Sequence, residues 1–395
     1  MAAKHGDGYE DDSQDDGVCG EPGPLQGIRV LDFSMFLAGP YCTRLMADMG
    51  AEIIKVEPPG GDFLRNAPPF RDGRSAYFGH INCGKKSLQL DLKTDQGMEV
   101  IHRLLPSVDV LLENFRPGVM ARLGLDYETL SALRPELVYC SISGYGQSGP
   151  GSLRPAFAPI IHAASGYDLI MMGYQGDRAA PPPTRSTVAD ILGATHALGA
   201  INAALVQRLT RGRGQRIDVA MMDAMHNMLA YEYQAAQMEA PERPIVFSPL
   251  RTLDGFVMVA PVSPANFRGL TEAAGRPELL DDPRFCEAKA RVKNWDQLLA
   301  EVEGWSAGLT TEQCESAILA AGCPCTRYLQ IDQAMAEPQI AARGAAVQMT
   351  GTDEPYMVAN CPAQFIGSDV GVHPWVAELG QHTAEILAEV GLTPT

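Results

Sequence analysis

Hydrophobic and polar positions along the chain fall into two alternating regimes. Short apolar runs with little in-and-out alternation recur in the first half: GIRVLDFS, AEIIKVEPP, KKSLQLDL, DVLLENF and PELVYCSISGYG. Runs of this kind predict parallel strands buried on both faces. Stretches with helical spacing lie between them. AGPYCTRLMADMGA predicts a helix with Gly50 at its C-terminal turn, and TDQGMEVIHRLLPSV a helix capped by Thr94. ADILGATHALGAINAALVQRLTRGRG predicts a long Ala- and Gly-rich helix closed by Gly212 and Gly214. QRIDVAMMDAMHNMLAYEYQAAQ predicts a short strand and one long helix. The β-α-β succession implies an α/β fold with a doubly wound sheet and ligand groups at the strand C-termini. After about residue 240 the pattern changes. RTLDGFVMVAPVS reads as a hairpin turning at Asp254-Gly255, and PELLDDPRF and NWDQLLAEVEGW lie on helices. The expected division is a large domain over 25–224, a small α+β domain over 225–330, and a β-like segment over 331–395 that returns to the large domain.

Composition narrows the picture. At 395 residues, 46% hydrophobic and 20% charged, the chain has material for two or three domains. Residues 1–24 are acidic and Gly-rich, which predicts a disordered tail, and they contain no apolar signal region. No apolar run reaches the roughly 18 residues that span a bilayer. A net charge of −17 opposes binding to nucleic acid or an anionic membrane. It leaves room for a nucleotide-like ligand held by a local cluster of cations and amides. The nine cysteines are scattered and odd in number, which predicts reduced thiols and a cytoplasmic location. Cys323-Pro-Cys325 lacks redox or zinc spacing, and the histidines and cysteines show no metal-ligand pattern.

Candidate chemistry concentrates in SGYDLIMMGYQGDRAAPPPTRSTVAD, from Ser165 to Asp190. A small-residue turn, a Gly-flanked acid (Gly176-Asp177), a Pro-rich loop and a helix-opening acid (Asp190) follow in order. Such a loop can hold one carboxylate at a cavity edge, where it can serve as a covalent nucleophile.

Several segments then add up in order: GIRVLDFSMFLAGPYCTRLMADMGAEIIKVEPPGGD, NCGKKSLQLDLKTDQG, DVLLENFRPGVMARLGLDYETL, LVYCSISGYGQSGP, RLTRGRGQRIDVAMMDAM and LLDDPRF. Together they resemble the class III CoA-transferases, the family of formyl-CoA transferase and carnitine CoA-transferase. The resemblance implies a Rossmann-like large domain built from both ends of the chain, a small middle domain, and two ring-like chains interlocked as a homodimer. It implies transfer of CoA from an acyl-CoA, such as succinyl-CoA, to a carboxylic acid. Coenzyme A is then a substrate, and no tightly bound cofactor is expected.

By the same resemblance Asp177 is the catalytic nucleophile, with Asp168 the runner-up. Phe36, Leu37 and Ala38 would line the pantetheine path. Asn114, Phe115, Arg122 and Leu123 would hold the nucleotide part, with Arg116 or Arg65 assisting, and Tyr145 would line the active site. Arg154, Arg178 and Arg185 can pair with a second carboxylate or simply hold the loop. His162 reads either as a donor to the active-site loop or as a satisfied histidine at a helix start. Two departures stand out: Leu37 replaces the glutamine of many members, and no mobile glycine run follows, which argues against oxalate or formate. Two other readings compete. An α-methylacyl-CoA racemase needs a His-Asp pair where this chain has Phe157 and Ala158, and neither residue moves a proton. A CoA-binding homologue without turnover is the other.

Overall fold

The computed structural model describes residues 21–176, 178–239 and 247–393. Two compact units emerge. One takes in the described parts of Met1–Asp168, Pro182–Leu229 and Gly344–Thr395; the other takes in the described parts of Leu169–Pro181 and Ala230–Arg343.

The first unit is built on six parallel strands: β1 (Arg29–Asp32), β2 (Glu52–Glu57), β3 (Lys86–Gln89), β4 (Val110–Glu113), β5 (Val138–Ser143) and β6 (Arg216–Ala220). Their spatial order is β3-β2-β1-β4-β5-β6. Val30 pairs with Ile53 on one side and Val110 on the other. Because side chains alternate across a strand, each apolar run feeds two cores at once. Val30, Ile53, Val110 and Val138 belong to one core, which Cys42 and Met46 of helix Ala38–Asp48 and Ala197 and Ile201 of helix Val188–Arg211 complete. Leu31, Ile54, Leu111 and Tyr139 belong to the other, with Val100 and Leu104 of helix Asp95–Leu104 and Ile386 and Leu387 of helix Thr383–Glu389. Each fully buried Leu or Ile contributes about 1.5–3 kcal/mol. Thr94 caps its helix as the sequence suggests, its side chain accepting from Gly97 N–H at 3.1 Å.

The strand order reverses between β1 and β4, so the loops leaving these two strands diverge and open a crevice at their carboxyl ends. Gly39 lets helix Ala38–Asp48 start tight against β1. A Cβ there would lie 2.2 Å from that of Ser34 and 2.9 Å from Leu112 Cδ2.

The second unit has a three-stranded antiparallel sheet in which Phe256–Val259 lies between Pro249–Arg251 and Cys325–Arg327. Arg251 pairs with Phe256, so the hairpin turns over Asp254 and Gly255. Leu250, Val257, Phe267, Phe285, Trp295 and Leu298 fill its core. Capping boxes at Ser263/Asn266 and Thr310/Gln313 start two of its helices.

Three sequence expectations change. Helix Val188–Arg211 is long and apolar enough, by length and composition, to cross a membrane. Abundant Ala and Gly hide this in the sequence, where no block of large apolar residues stands out. Its Ala189, Ala194, Ile201 and Leu205 lie in the first core. The single helix expected after β6 is two, Met221–Met228 and Ala230–Ala235, interrupted where Leu229 leaves helical geometry and turns inward. Tyr167–Gly173, expected as a loop, is a helix: YDLIMM contains no Gly or Pro to stop it, and Gly166, at φ 84°, breaks it from helix Ala158–Ala164.

Candidate active site

The loop after β1 is pinned from beneath by buried charge. Asp32, fully buried, accepts from Ser34 N–H at 2.9 Å, from Thr43 Oγ1 at 2.6 Å and from the Ser34 hydroxyl. Lys85, also buried, donates to Asp32 at 3.2 Å, to Pro40 C=O at 2.7 Å and to Asn82 Oδ1 at 2.9 Å. Lys55 donates to Ser34 C=O at 2.7 Å and pairs with Asp62 at 3.0 Å. Burial raises the Asp32 carboxyl, but Lys85, then Lys55 and the two hydroxyls outweigh it and hold the group below its ordinary range. Such a pair is costly to bury and more costly to break.

Above this floor Asn114, just past β4, clasps the next residue. Its Oδ1 accepts from Met35 N–H at 2.9 Å and its Nδ2 donates to Met35 C=O at 2.7 Å. With both backbone groups of Met35 satisfied, the next residue, Phe36, sits at φ 62°, a left-handed conformation that ordinarily costs a non-glycine residue about 1–2 kcal/mol. Its ring is partly exposed. It stacks on Phe63 with centroids 5.4 Å apart and meets Phe157 edge-on at 5.5 Å.

Phe36, Leu37, Ala38, Asn114 and Phe115 converge on one cavity of about 220 Å³ at the carboxyl ends of β1, β4 and β5. Arg116, Ser143, Gly144, Ser152, Arg154, Phe157, Asp190 and Met221 also line it. Gly144 is required by close approach, since a Cβ would lie 2.4 Å from that of Ala156. Arg122 and Leu123 line a second cavity, of about 290 Å³, which shares Phe115 with the first. Phe33, Val56, Leu90 and Leu92 make it apolar, and Lys93 and Arg122 supply cations. An apolar cavity with two cations and one acid, Asp91, sharing Phe115 with a smaller cavity, has the chemistry to take adenine with its phosphates in one and a thiol-bearing arm in the other.

Other expected residues lie elsewhere. Tyr145 is absent from the linings of both cavities and packs against the first core. Arg65 is committed to Glu57 at 2.6 Å and to Ala377 C=O at 3.0 Å. Asp168 sits in the first turn of helix Tyr167–Gly173, off both cavity walls. Asp177 lies outside the described residues. His162, expected either as a donor to the loop or as a satisfied histidine at a helix start, is an acceptor: its Nε2 accepts from Ala189 N–H at 3.1 Å, capping helix Val188–Arg211, whose own N-cap residue Thr187 makes no side-chain cap. Burial lowers its pKa, which favours the neutral ring this acceptor role requires. Asp190, one residue on, has its carboxyl pushed up to about 6 by burial. Among the described residues no three His, Cys, Asp or Glu side chains converge on a metal-sized site.

Residues 25–383 match the family model "CoA-transferase family III". The protein is a member of that family, an enzyme that transfers CoA. The succinate–glutarate CoA-transferase of Agrobacterium fabrum is 33% identical over 398 residues, covering 93% of this chain and 96% of its own. The succinyl-CoA–D-citramalate CoA-transferase of Chloroflexus aurantiacus is 35% identical over 390 residues, covering 94% and 95%. Among solved structures, a CaiB/BaiF family protein from Brucella suis superposes with a TM-score of 0.82 at 31% identity, covering 94% of this chain and 100% of that one.

Proposed function

We propose that this enzyme moves CoA from succinyl-CoA or a similar acyl-CoA to a small carboxylic acid, through covalent intermediates on Asp177. The observation that carries the reading is the pair of cavities that meet at Phe115 near the strand-order reversal, one apolar with Lys93 and Arg122 and one with Arg116, Arg154 and other polar groups. The relatives' succinyl-CoA chemistry supports the donor.

In the proposed sequence the Asp177 carboxylate attacks the thioester carbonyl, forming an acyl-aspartyl anhydride and releasing CoA thiolate. The thiolate attacks the aspartyl carbonyl, leaving an aspartyl-CoA thioester and the freed donor acid. The acceptor carboxylate displaces CoA from that thioester to form a second anhydride. The thiolate then attacks its acyl carbonyl, giving the new acyl-CoA and regenerating Asp177. Every intermediate stays activated, so no ATP is consumed. Each also hydrolyses, so water must be kept from the site. The Phe36, Phe63 and Phe157 cluster fits that need.

An acceptor screen with succinyl-CoA as donor tests the reading. Glutarate, citramalate and mesaconate are suitable acceptors, with oxalate as the acid expected to react poorly; formation of a new acyl-CoA without ATP is the expected result. Hydrolysis alone, or CoA binding without turnover, would count against it. Phe157 and Ala158, which offer no acid or base, disfavour α-proton exchange.

The proposal extends to a homodimer. The outward side of helix Val188–Arg211 carries exposed Gly199, Ala203, Val206 and Leu209, the last two 61% and 81% exposed. A second copy is the expected cover for such a face. Light scattering should give twice the chain mass of 42.5 kDa; a mass of one chain would refute the dimer.

A further inference from the structure

Among the described residues Asp190 is the one acidic side chain on the wall of the first cavity. It sits in the first turn of helix Val188–Arg211. No hydrogen bond or ion pair engages its carboxyl among the described residues. A helix N-terminus favours the anion, yet burial dominates and the group titrates at about 6. The charged and titratable groups around it come from several elements. Arg116 and Arg154 line the same cavity. Tyr77, of helix Ala76–Asn82, is near enough for the Asp190 charge to raise its phenol further, after burial. His162 holds the preceding residue's N–H and stays neutral. A bare carboxylate here would repel an anionic substrate, and neither arginine is paired with it to cancel that charge.

We propose that Asp190 receives the acceptor acid: it takes up one proton from solvent as the carboxylate enters and donates that O–H to it, while Arg154 supplies the counter-charge. This inference rests on the CoA-transfer reading of the cavity. The chemistry is that of two carboxyl groups sharing one proton, which raises the pKa of the pair. A short O–H···O⁻ bond then fixes the acceptor's orientation. No bond to carbon changes, so Asp190 selects and orients the acid while the nucleophile reacts. The class it selects is the anionic carboxylate, and a neutral amide or ester of the same shape gains nothing from the shared proton.

Only the protonated site binds, so the apparent dissociation constant for a carboxylate should rise about tenfold per pH unit above the Asp190 pKa. The full-length enzyme can be titrated calorimetrically with succinate between about pH 6.5 and about pH 8.5, where the acid's own groups are already ionised. Two buffers of different ionisation heat report proton uptake. The wild type should take up close to one proton per succinate at the alkaline end and show the tenfold slope. Asp190→Asn should show neither, and its thermal unfolding reports whether it folds. Arg154→Gln should bind succinate more weakly and keep the slope. A flat profile in the wild type, the same slope in Asp190→Asn, or no succinate binding at any pH overturns the proposal. A parallel titration with CoA separates the two readings. CoA bound with a pH-flat succinate response removes the role of Asp190 alone, whereas no CoA binding removes the transfer reading of the cavity as well.

Discussion

Asp177→Ala is expected to lower CoA transfer by at least about 10⁴-fold, the scale on which covalent nucleophiles matter. Its affinity for CoA should change by no more than about threefold, because the adenine and phosphate contacts proposed at Phe115, Lys93 and Arg122 are separate from the nucleophile. A carboxylate is the side chain this chemistry needs. A serine ester or cysteine thioester would not remain activated enough to hand CoA back to a second acid, whereas an anhydride and an aspartyl thioester do. The intermediates can be trapped directly. Hydroxylamine added after acyl-CoA should convert one aspartate to its hydroxamate, and peptide mapping should place that change at Asp177. Full transfer by Asp177→Ala would exclude that residue. Attention would then move to Asp190, already on the cavity wall, before Asp168, which is not.

Lys85→Met is expected to destabilise the fold by about 3–5 kcal/mol in urea unfolding, the usual cost of leaving one member of a buried ion pair alone. Asp32 and Lys85 are both buried, and Asp32 is the anchor of the Ser34 peptide. The sign of the pH dependence distinguishes this from simple loss of packing. In the wild type the Asp32 pKa is depressed, so its contribution is complete above the ordinary aspartate value and is lost as pH falls through the lower folded value. Without Lys85, burial raises that pKa, and the protonated carboxyl becomes the form the fold prefers. The deficit of Lys85→Met should therefore shrink on acidification. A deficit below about 1 kcal/mol, or one independent of pH, would show that the pair is not what holds the loop. The double change with Asp32→Asn should recover part of the loss, since no buried charge is then stranded.

The sheet was readable because parallel strands buried on two faces leave largely apolar runs without in-and-out alternation, as RVLD and EIIKVE do here around the buried Asp32 and Lys55. The strand boundaries then place Leu37 and Asn114 just past β1 and β4, and a doubly wound sheet gathers such loops at one edge. That local logic stops at the edge of each loop. Gly144 directly follows β5, but Ser152 and Phe157 lie further along that loop and reach the cavity through contacts for which no single-chain pattern exists. Lysine in a sequence signals surface, so the burial of Lys55 and Lys85 was invisible. The partner of Lys85, Asp32, lies far from it along the chain, and Asp62, close to Lys55 in sequence, carries no local sign of burial. Asp190 was legible as a helix-opening acid, but its lack of a partner was not. His162 was legible as a histidine near a helix start, yet the helix it caps is a different one, 27 positions on. Tyr145, a motif position carried over by resemblance, lies here against the core.

The helix Thr383–Glu389 times the completion of one core. Leu31 and Ile54 lie far upstream of Ile386 and Leu387 in the chain, yet all four belong to the same layer. A nascent chain therefore carries an unfinished sheet face until that helix has been made, while the intervening block from Ala230 to Arg343 already has its own apolar interior to fold around. A ribosome that stalls or terminates before Ile386 releases a protein with that face open to water, a natural substrate for chaperones and proteases.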